Sequence, residues 1–234
     1  MSDLTASLQS VSDLLTGDIP GLWPIVGLSL QVSAMATLIA AVIAFPLAAL
    51  LALTPFPGRS AVIATLNGLM GLPSVVVGLL AYLLLSRAGP LGSMGILFTP
   101  SAMVVAQTLL IMPLMAALAR QTLEGALEEL GPYLRSLRAS ARQSVQTILF
   151  EARVPLLTVV LAGFGRAAAE VGAVMIVGGN IDGVTRTMTT AIALETSKGD
   201  LPLALGLGLV LVVVIWLANA AAQLVRRYAA RLHD

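Results

Sequence analysis

EARVPLLTVVLAGFGRAAAEVGAVMIVGGN, residues 151–180, is the stretch on which the fold turns. From near Pro155 to Val177 it is apolar and long enough to cross a bilayer core of about 30 Å, which takes about 20 helical residues. Within that length it carries Arg166 and Glu170, four residues apart. On a helix, residues at that spacing share a face. A lone charge at the centre of a membrane helix costs about 2.5–3.5 kcal/mol on insertion scales. Pairing offsets part of that cost, so neither side chain belongs toward lipid. Charge inside a membrane span is a functional hypothesis by default.

The rest of the composition agrees with a lipid solvent. Hydrophobic residues make up 58% of the 234 and charged residues 11%, against roughly 25% charged in a soluble domain. Mean hydropathy is +0.96. Such a chain cannot cover its surface with polar groups. Its size suits one domain. The net charge of +1 and the lack of a basic patch with interleaved aromatics argue against nucleic acid. The absence of cysteine excludes disulfides, thiolate chemistry and cysteine metal sites. The single histidine, His233, reads as a tail residue rather than a ligand.

Five segments have membrane length: Ile25–Leu53, Ala61–Ser86, Ala102–Ala119, Pro155–Val177 and Leu201–Val225. Pro73 and Pro113 fall inside spans, which suits helices packed within a bundle, where neighbours re-satisfy the freed carbonyls. Gly163, Gly165 and Ala167 to Ala169 point to close helix packing. The expected organisation is a polar or interfacial segment at 1–20, a transmembrane domain at 21–226 and a short tail at 227–234. Residues 1–20 carry Asp3, Asp13 and Asp18 and no basic n-region, unlike a signal peptide. When the loops are assigned to alternate sides, nine Lys and Arg fall on one face and three on the other. The positive-inside rule then puts the N-terminus outside and the C-terminus in the cytoplasm. The same count makes 120–154 the main cytoplasmic feature.

In that cytoplasmic segment Gly131-Pro132 predicts a helix break. After it, Leu134, Leu137, Ala141, Val145 and Ile148 fall at helical spacing, with Arg135, Arg138 and Arg142 on another side. This is a short amphipathic helix. Its apolar face has three candidate neighbours: anionic headgroups, its own bundle and a partner protein.

Leu137-Arg138-Ala139-Ser140, Ile148 and Glu151-Ala152-Arg153 resemble the coupling loop of ABC importer permeases. With Arg138 at that loop's glycine position, Ile148 falls on its isoleucine. Pro132-Tyr133-Leu134 then stands where the loop has Glu-Ala-Ala, and Phe150-Glu151 where it has Leu-Pro. A second register puts Gly131 on the glycine and loses the isoleucine and proline. Most of the chain, from about residue 25 to 220, resembles the permease subunit of tungstate ABC importers. The resemblance lies in GLPSVVVGLLAYLLLSRAGPLG (71–92), LFTP (97–100), FGRAAAEVGAVMIVGGNI (164–181), TRTMTT (185–190) and ALETSKGD (193–200). It implies a type I importer permease of about five transmembrane helices in a prokaryotic inner membrane. It implies a homodimer, a cytoplasmic ABC ATPase dimer that binds ATP-Mg, and an extracytoplasmic oxyanion-binding protein. Molybdate and sulfate permeases share part of the pattern and are the alternative.

Candidate residues follow. Leu137, Arg138, Ala139, Ser140 and Arg142 are expected to couple to the ATPase. Arg166 and Glu170 read either as a clamp or as a partly neutralised arginine that lowers the barrier for a dianion. The clamp is preferred, because a tight anion site in a path would trap its cargo. Asn180, Thr185, Arg186, Thr187, Thr189 and Thr190 gather amide, hydroxyl and guanidinium groups in the outer link, the groups an oxyanion would meet. They read as an outer gate and anion path, against the plainer reading of threonines that cap and pack short helices. Glu195 and Asp200 would repel a dianion, or pair with Lys198 or Arg186. A membrane-embedded enzyme is the remote alternative. Acids within the spans reduce to Glu170, with no histidine beside it. No GxxxxGK[ST] occurs, so active transport needs a separate ATPase and no cofactor is expected in this chain.

Overall fold

The computed structural model describes residues 22–231. The expected segment at 1–20 and His233 lie outside the described residues. Among the described residues the chain forms α1 (Leu22–Leu53), α2 (Arg59–Leu69), α3 (Ser74–Leu85), α4 (Pro100–Ser136), α5 (Ala141–Glu151), α6 (Arg153–Ala168), α7 (Gly172–Gly178), α8 (Met188–Lys198) and α9 (Leu201–Arg231). The structure is all-α, as expected.

Three helices, α1, α4 and α9, are each long and apolar enough to cross a membrane. The pairs α2–α3 and α5–α6 pass the same test together but bend by 105° and 57°. The span count is therefore three to five. The expected second span, Ala61–Ser86, is not one rod. It turns at Met70–Pro73, and Pro73, placed just before α3, cannot continue a helix backward. The expected fourth span breaks between Ala168 and Gly172.

The core is built on α1 and α4, which share the most extensive contact in the molecule. Ala36, Ala40, Ala44 and Ala48 are fully buried and repeat every four residues along α1. Small side chains at that spacing let two helix backbones approach closely, the main source of packing energy where lipid competes for apolar contact. Against them α4 sets Ala102, Ala106, Leu110, Ile111 and Met115, all buried. The opposite face of α1 exposes Leu38, Val42 and Leu50, as a lipid-facing surface requires. The Thr108 hydroxyl donates to the Ala36 carbonyl at 3.4 Å. Arg59 joins Leu51 to Glu124 further on. These ties advance together along both helices, so α1 and α4 run in the same direction. In contrast, only 17% of the membrane-length window of α9 is buried, against 72% for α4. Thus α9 lies on the periphery, against α8.

The 37 residues of α4 span about 56 Å at 1.5 Å per residue. That is nearly twice the hydrocarbon core of about 30 Å, so α4 continues past the bilayer. The expected break at Gly131-Pro132 is not there, because the helix runs on to Ser136. A proline removes one hydrogen bond but has a helical φ. Leu127 before it and Leu134 after it both pack on the core, which carries the helix through. The break falls instead at Leu137–Ser140.

Glycines mark the tightest crossing. A Cβ on Gly78 of α3 would lie 2.6 Å from the Ala173 Cα of α7. Gly78→Ala is expected to lower stability by about 1–3 kcal/mol through forced separation of the two backbones. Gly27→Ala, with nothing within 4 Å of the new methyl, should gain about 0.5–1 kcal/mol from helix propensity. Unfolding in detergent micelles measures both, and equal effects would contradict this packing.

Candidate functional site

The break between α6 and α7 is the polar centre of the molecule. Ala167-Ala168-Ala169 would continue a helix on propensity alone. Instead Glu170 N–H bonds the Ala167 carbonyl at 3.1 Å, tightening the last turn, and the chain leaves the helix. A break at membrane depth frees backbone groups that lipid cannot satisfy. Four side-chain bonds meet that need or support the residues that do. The Gln107 amide of α4 donates to the Ala167 carbonyl at 3.0 Å. The Thr189 hydroxyl of α8 donates to the Glu170 carbonyl at 2.7 Å. Glu170 Oε1 accepts the Ala173 N–H of α7 at 3.0 Å, and Arg166 Nη1 donates to Glu170 Oε2 at 2.8 Å.

The predicted pair therefore exists, although Glu170 lies beyond the end of its helix. The two partners differ. The Glu170 side chain is 2% exposed, and that of Arg166 is 41% exposed. The carboxylate is thus a buried cap, sitting where the positive end of α7 favours negative charge. The guanidinium donates to it through Nη1, on a side chain that stays two-fifths exposed. Gly172 allows the start of α3 to close over the break, since a Cβ there would meet Val75 Cγ2 at 2.9 Å.

The threonine-rich stretch packs against this break. Thr185, Thr187, Thr189 and Thr190 are all buried. Thr185 donates to the Gly178 carbonyl at 2.6 Å and accepts the Ile181 N–H at 2.9 Å, closing the turn after α7. Thr187 N–H donates to Thr190 Oγ1 at 2.9 Å, at the start of α8. The Thr187 hydroxyl lies 3.2 Å from those of both Thr189 and Thr190. Met188 N–H donates to Ser29 Oγ of α1 at 2.8 Å. Asn180 takes a left-handed backbone, φ 49°, which asparagine tolerates better than most residues. Its amide faces the Thr190 carbonyl at 3.4 Å. Arg186 pairs with Asp182 at 2.9 Å. Both border a cavity of about 480 Å³ against Leu28 and Gln31 of α1. Glu195 pairs with Lys198 at 2.8 Å, one of the anticipated pairings.

The five expected coupling residues sit apart from this centre, beyond the far end of α6. Leu137 is 77% exposed. Arg138 has a φ of 51°, a left-handed conformation that favours glycine. That is the residue one register of the resemblance set on the glycine. Ala139 N–H returns to the Leu134 carbonyl at 3.0 Å. Ser140 and Gln143 form a reciprocal capping box that starts α5. Arg142 is exposed on its first turn.

Gln107 and Ser29 did not figure among the expected residues. The available signal was chemical, since each is a polar side chain in an apolar helix. Thr189→Val is expected to destabilise the protein by about 1 kcal/mol, by leaving the Glu170 carbonyl without its donor. Thr196→Val, at an exposed hydroxyl bonded only within its own helix, should change little. Denaturant unfolding of the two variants checks the difference.

No family model matches the chain. It is similar to the tungstate uptake system permease protein of Peptoclostridium acidaminophilum, 40% identical over 87% of this chain and 90% of that protein. A probable anion ABC transporter permease protein of Haloferax volcanii is 38% identical over 76% of this chain and 78% of its own length. The molybdenum transport system permease protein of Escherichia coli K12 is 33% identical over 73% and 78%.

Proposed function

The chain belongs to the permease family of tungstate and related anion ABC importers, and we propose that it forms the membrane path through which such an importer takes up tungstate. The observation that carries this reading is the nearly full-length match to the Peptoclostridium tungstate permease. The more distant molybdenum permease makes molybdate the second reading. The chain is a multi-pass membrane protein. Two copies enclose the path across a twofold axis, the simplest closure for so small a chain. A separate cytoplasmic ATPase dimer binds and hydrolyses ATP-Mg, and an oxyanion-binding protein delivers the anion from outside. The arginine distribution puts the N-terminus outside and the C-terminus in the cytoplasm. Residues 21–226 act as one transmembrane domain, with 120–154 as its coupling segment.

Arg166 supports both of its readings at once. A guanidinium with two-fifths of its side chain exposed is costly against hydrocarbon. Its free edge therefore faces the water-filled seam between the two copies. Its Nη1 is held by Glu170, so its charge is partly neutralised and a passing dianion meets a lower barrier without being trapped. Asn180 and Arg186, at the turn after α7, belong to the outer end of this path. Thr185, Thr187, Thr189 and Thr190 act there by holding the turn in shape. Asp182 beside Arg186 weakens anion capture, which favours a gate over a binding site.

The coupling residues suit a dock. Leu137 stands on a turn that α4 carries beyond bilayer length. Tyr133 and Phe150, 68% and 57% exposed, lie near it in sequence on either side. An exposed apolar patch marks a contact surface; Arg153 stacks on the Phe150 ring at 3.7 Å, and Arg138 and Arg142 add charge to the patch.

Reconstitution with a candidate ATPase and binding protein tests the proposal. Tungstate is expected to stimulate ATP hydrolysis more than molybdate or sulfate. Stimulation by molybdate alone would move the assignment to the second reading, and no response to any oxyanion would sink both. Arg138→Glu with Arg142→Glu should release the ATPase while the permease stays folded; co-purification at the wild-type level would rule out this turn as the dock.

A further inference from the structure

Among the described residues, one ion pair joins helices far apart in sequence; the others lie within one turn of chain. It centres on Glu124 of α4. Arg59 Nη2 donates to Glu124 Oε1 at 2.5 Å. Arg120, one turn earlier on α4, donates to Oε2 of the same carboxylate. Arg59 Nε donates at 2.6 Å to the carbonyl of Leu51, in the last turn of α1. The last carbonyls of a helix lack intrahelical partners, so this bond answers a standing need. Both carboxylate oxygens are engaged, and side-chain exposures of 33%, 26% and 12% for Arg59, Glu124 and Arg120 put the cluster partly out of solvent.

Its position gives the cluster a role. Glu124 lies about 36 Å along α4 from Pro100, just past the length a bilayer core occupies. Up to Ala119 and Leu123, α4 is buried in the bundle. Beyond Glu124 it runs past bilayer length to Leu137, with Leu127 and Leu134 packed on the core; this stretch is the overhang. The Arg59–Glu124–Arg120 cluster therefore ties the root of that overhang to the junction of α1 and α2.

We propose that Glu124 is a positioning residue for energy coupling, locking the α4 overhang to the α1–α2 junction so that a displacement at residues 137–142 reaches the membrane helices as one rigid movement. This rests on the reading of the chain as an ATPase-driven importer. An exposed ion pair contributes little, but a carboxylate shared by two arginines, one of them also bonded to a helix end, has few alternative geometries.

The test uses the full complex in nanodiscs, with Glu124→Gln and Glu124→Asp. The chain has no cysteine, so cysteines at Ser60 and Ser136 can carry spin labels, diluted with unlabelled chain. Glu124→Gln should keep the ATPase bound, broaden the distance distribution between the labels, and lose the stimulation of hydrolysis by tungstate-loaded binding protein. Glu124→Asp should restore both. Loss of either readout without the other overturns the proposal, as does a Glu124→Gln complex that keeps both. If no oxyanion stimulates even the wild type, the substrate reading fails, and the label distances alone then decide: an unbroadened Glu124→Gln distribution overturns the latch.

Discussion

A peptide group freed inside a membrane has no water to turn to, and this molecule is organised around one place where that happens. Between Ala168 and Gly172 the chain leaves one helix and begins another, inside the segment expected as the fourth span. Without partners, each freed group would cost several kcal/mol in hydrocarbon. Glu170 answers the N-terminus of α7, Gln107 and Thr189 answer carbonyls on either side, and Arg166 answers the charge of Glu170. The donors come from α4, α6 and α8, so the break also fastens those helices to each other.

The same arrangement explains why polar chemistry collects on one side of an apolar bundle. The threonines of residues 185–190 hold the turn after α7 and bring Thr189 onto the Glu170 carbonyl. Ser29 fastens the start of α8 to α1. Arg166 is the partly exposed member of this group. Its charge is shared with a buried carboxylate, which leaves it only partly neutralised.

Three of the five expected spans, α1, α4 and α9, were legible because hydropathy and length define them, and Arg166 with Glu170 because charge in an apolar segment is conspicuous. The break was not legible. Ala167-Ala168-Ala169 favours helix, and the decision to leave it comes from Gln107, Thr189 and the close approach of Gly78 to Ala173, all tertiary effects. Gly131-Pro132 misled in the opposite sense, since packing of Leu127 and Leu134 overrides a local helix breaker. Composition showed that residues 185–190 offer hydroxyls but not that these point inward. The stop at Leu137–Ser140 was half visible, in the Ser140–Gln143 spacing, and half concealed, because Arg138 holds a left-handed turn that glycine would have announced.

The central claim is that Arg166 and Glu170 act as one unit that keeps the break in place. A double-mutant cycle of Arg166→Ala and Glu170→Gln, read by unfolding of the protein in a defined bilayer, tests it most directly. Glutamine keeps one oxygen to accept the Ala173 N–H, while its NH2 takes the place of the oxygen that accepts from Arg166 and the charge is removed. If the claim holds, Arg166→Ala alone is the more damaging change, because it strands a buried carboxylate, and adding Glu170→Gln recovers part of the loss, with a coupling of roughly 1 kcal/mol or more. Losses that add to within about 0.5 kcal/mol would mean that the two residues act independently, and would contradict the account.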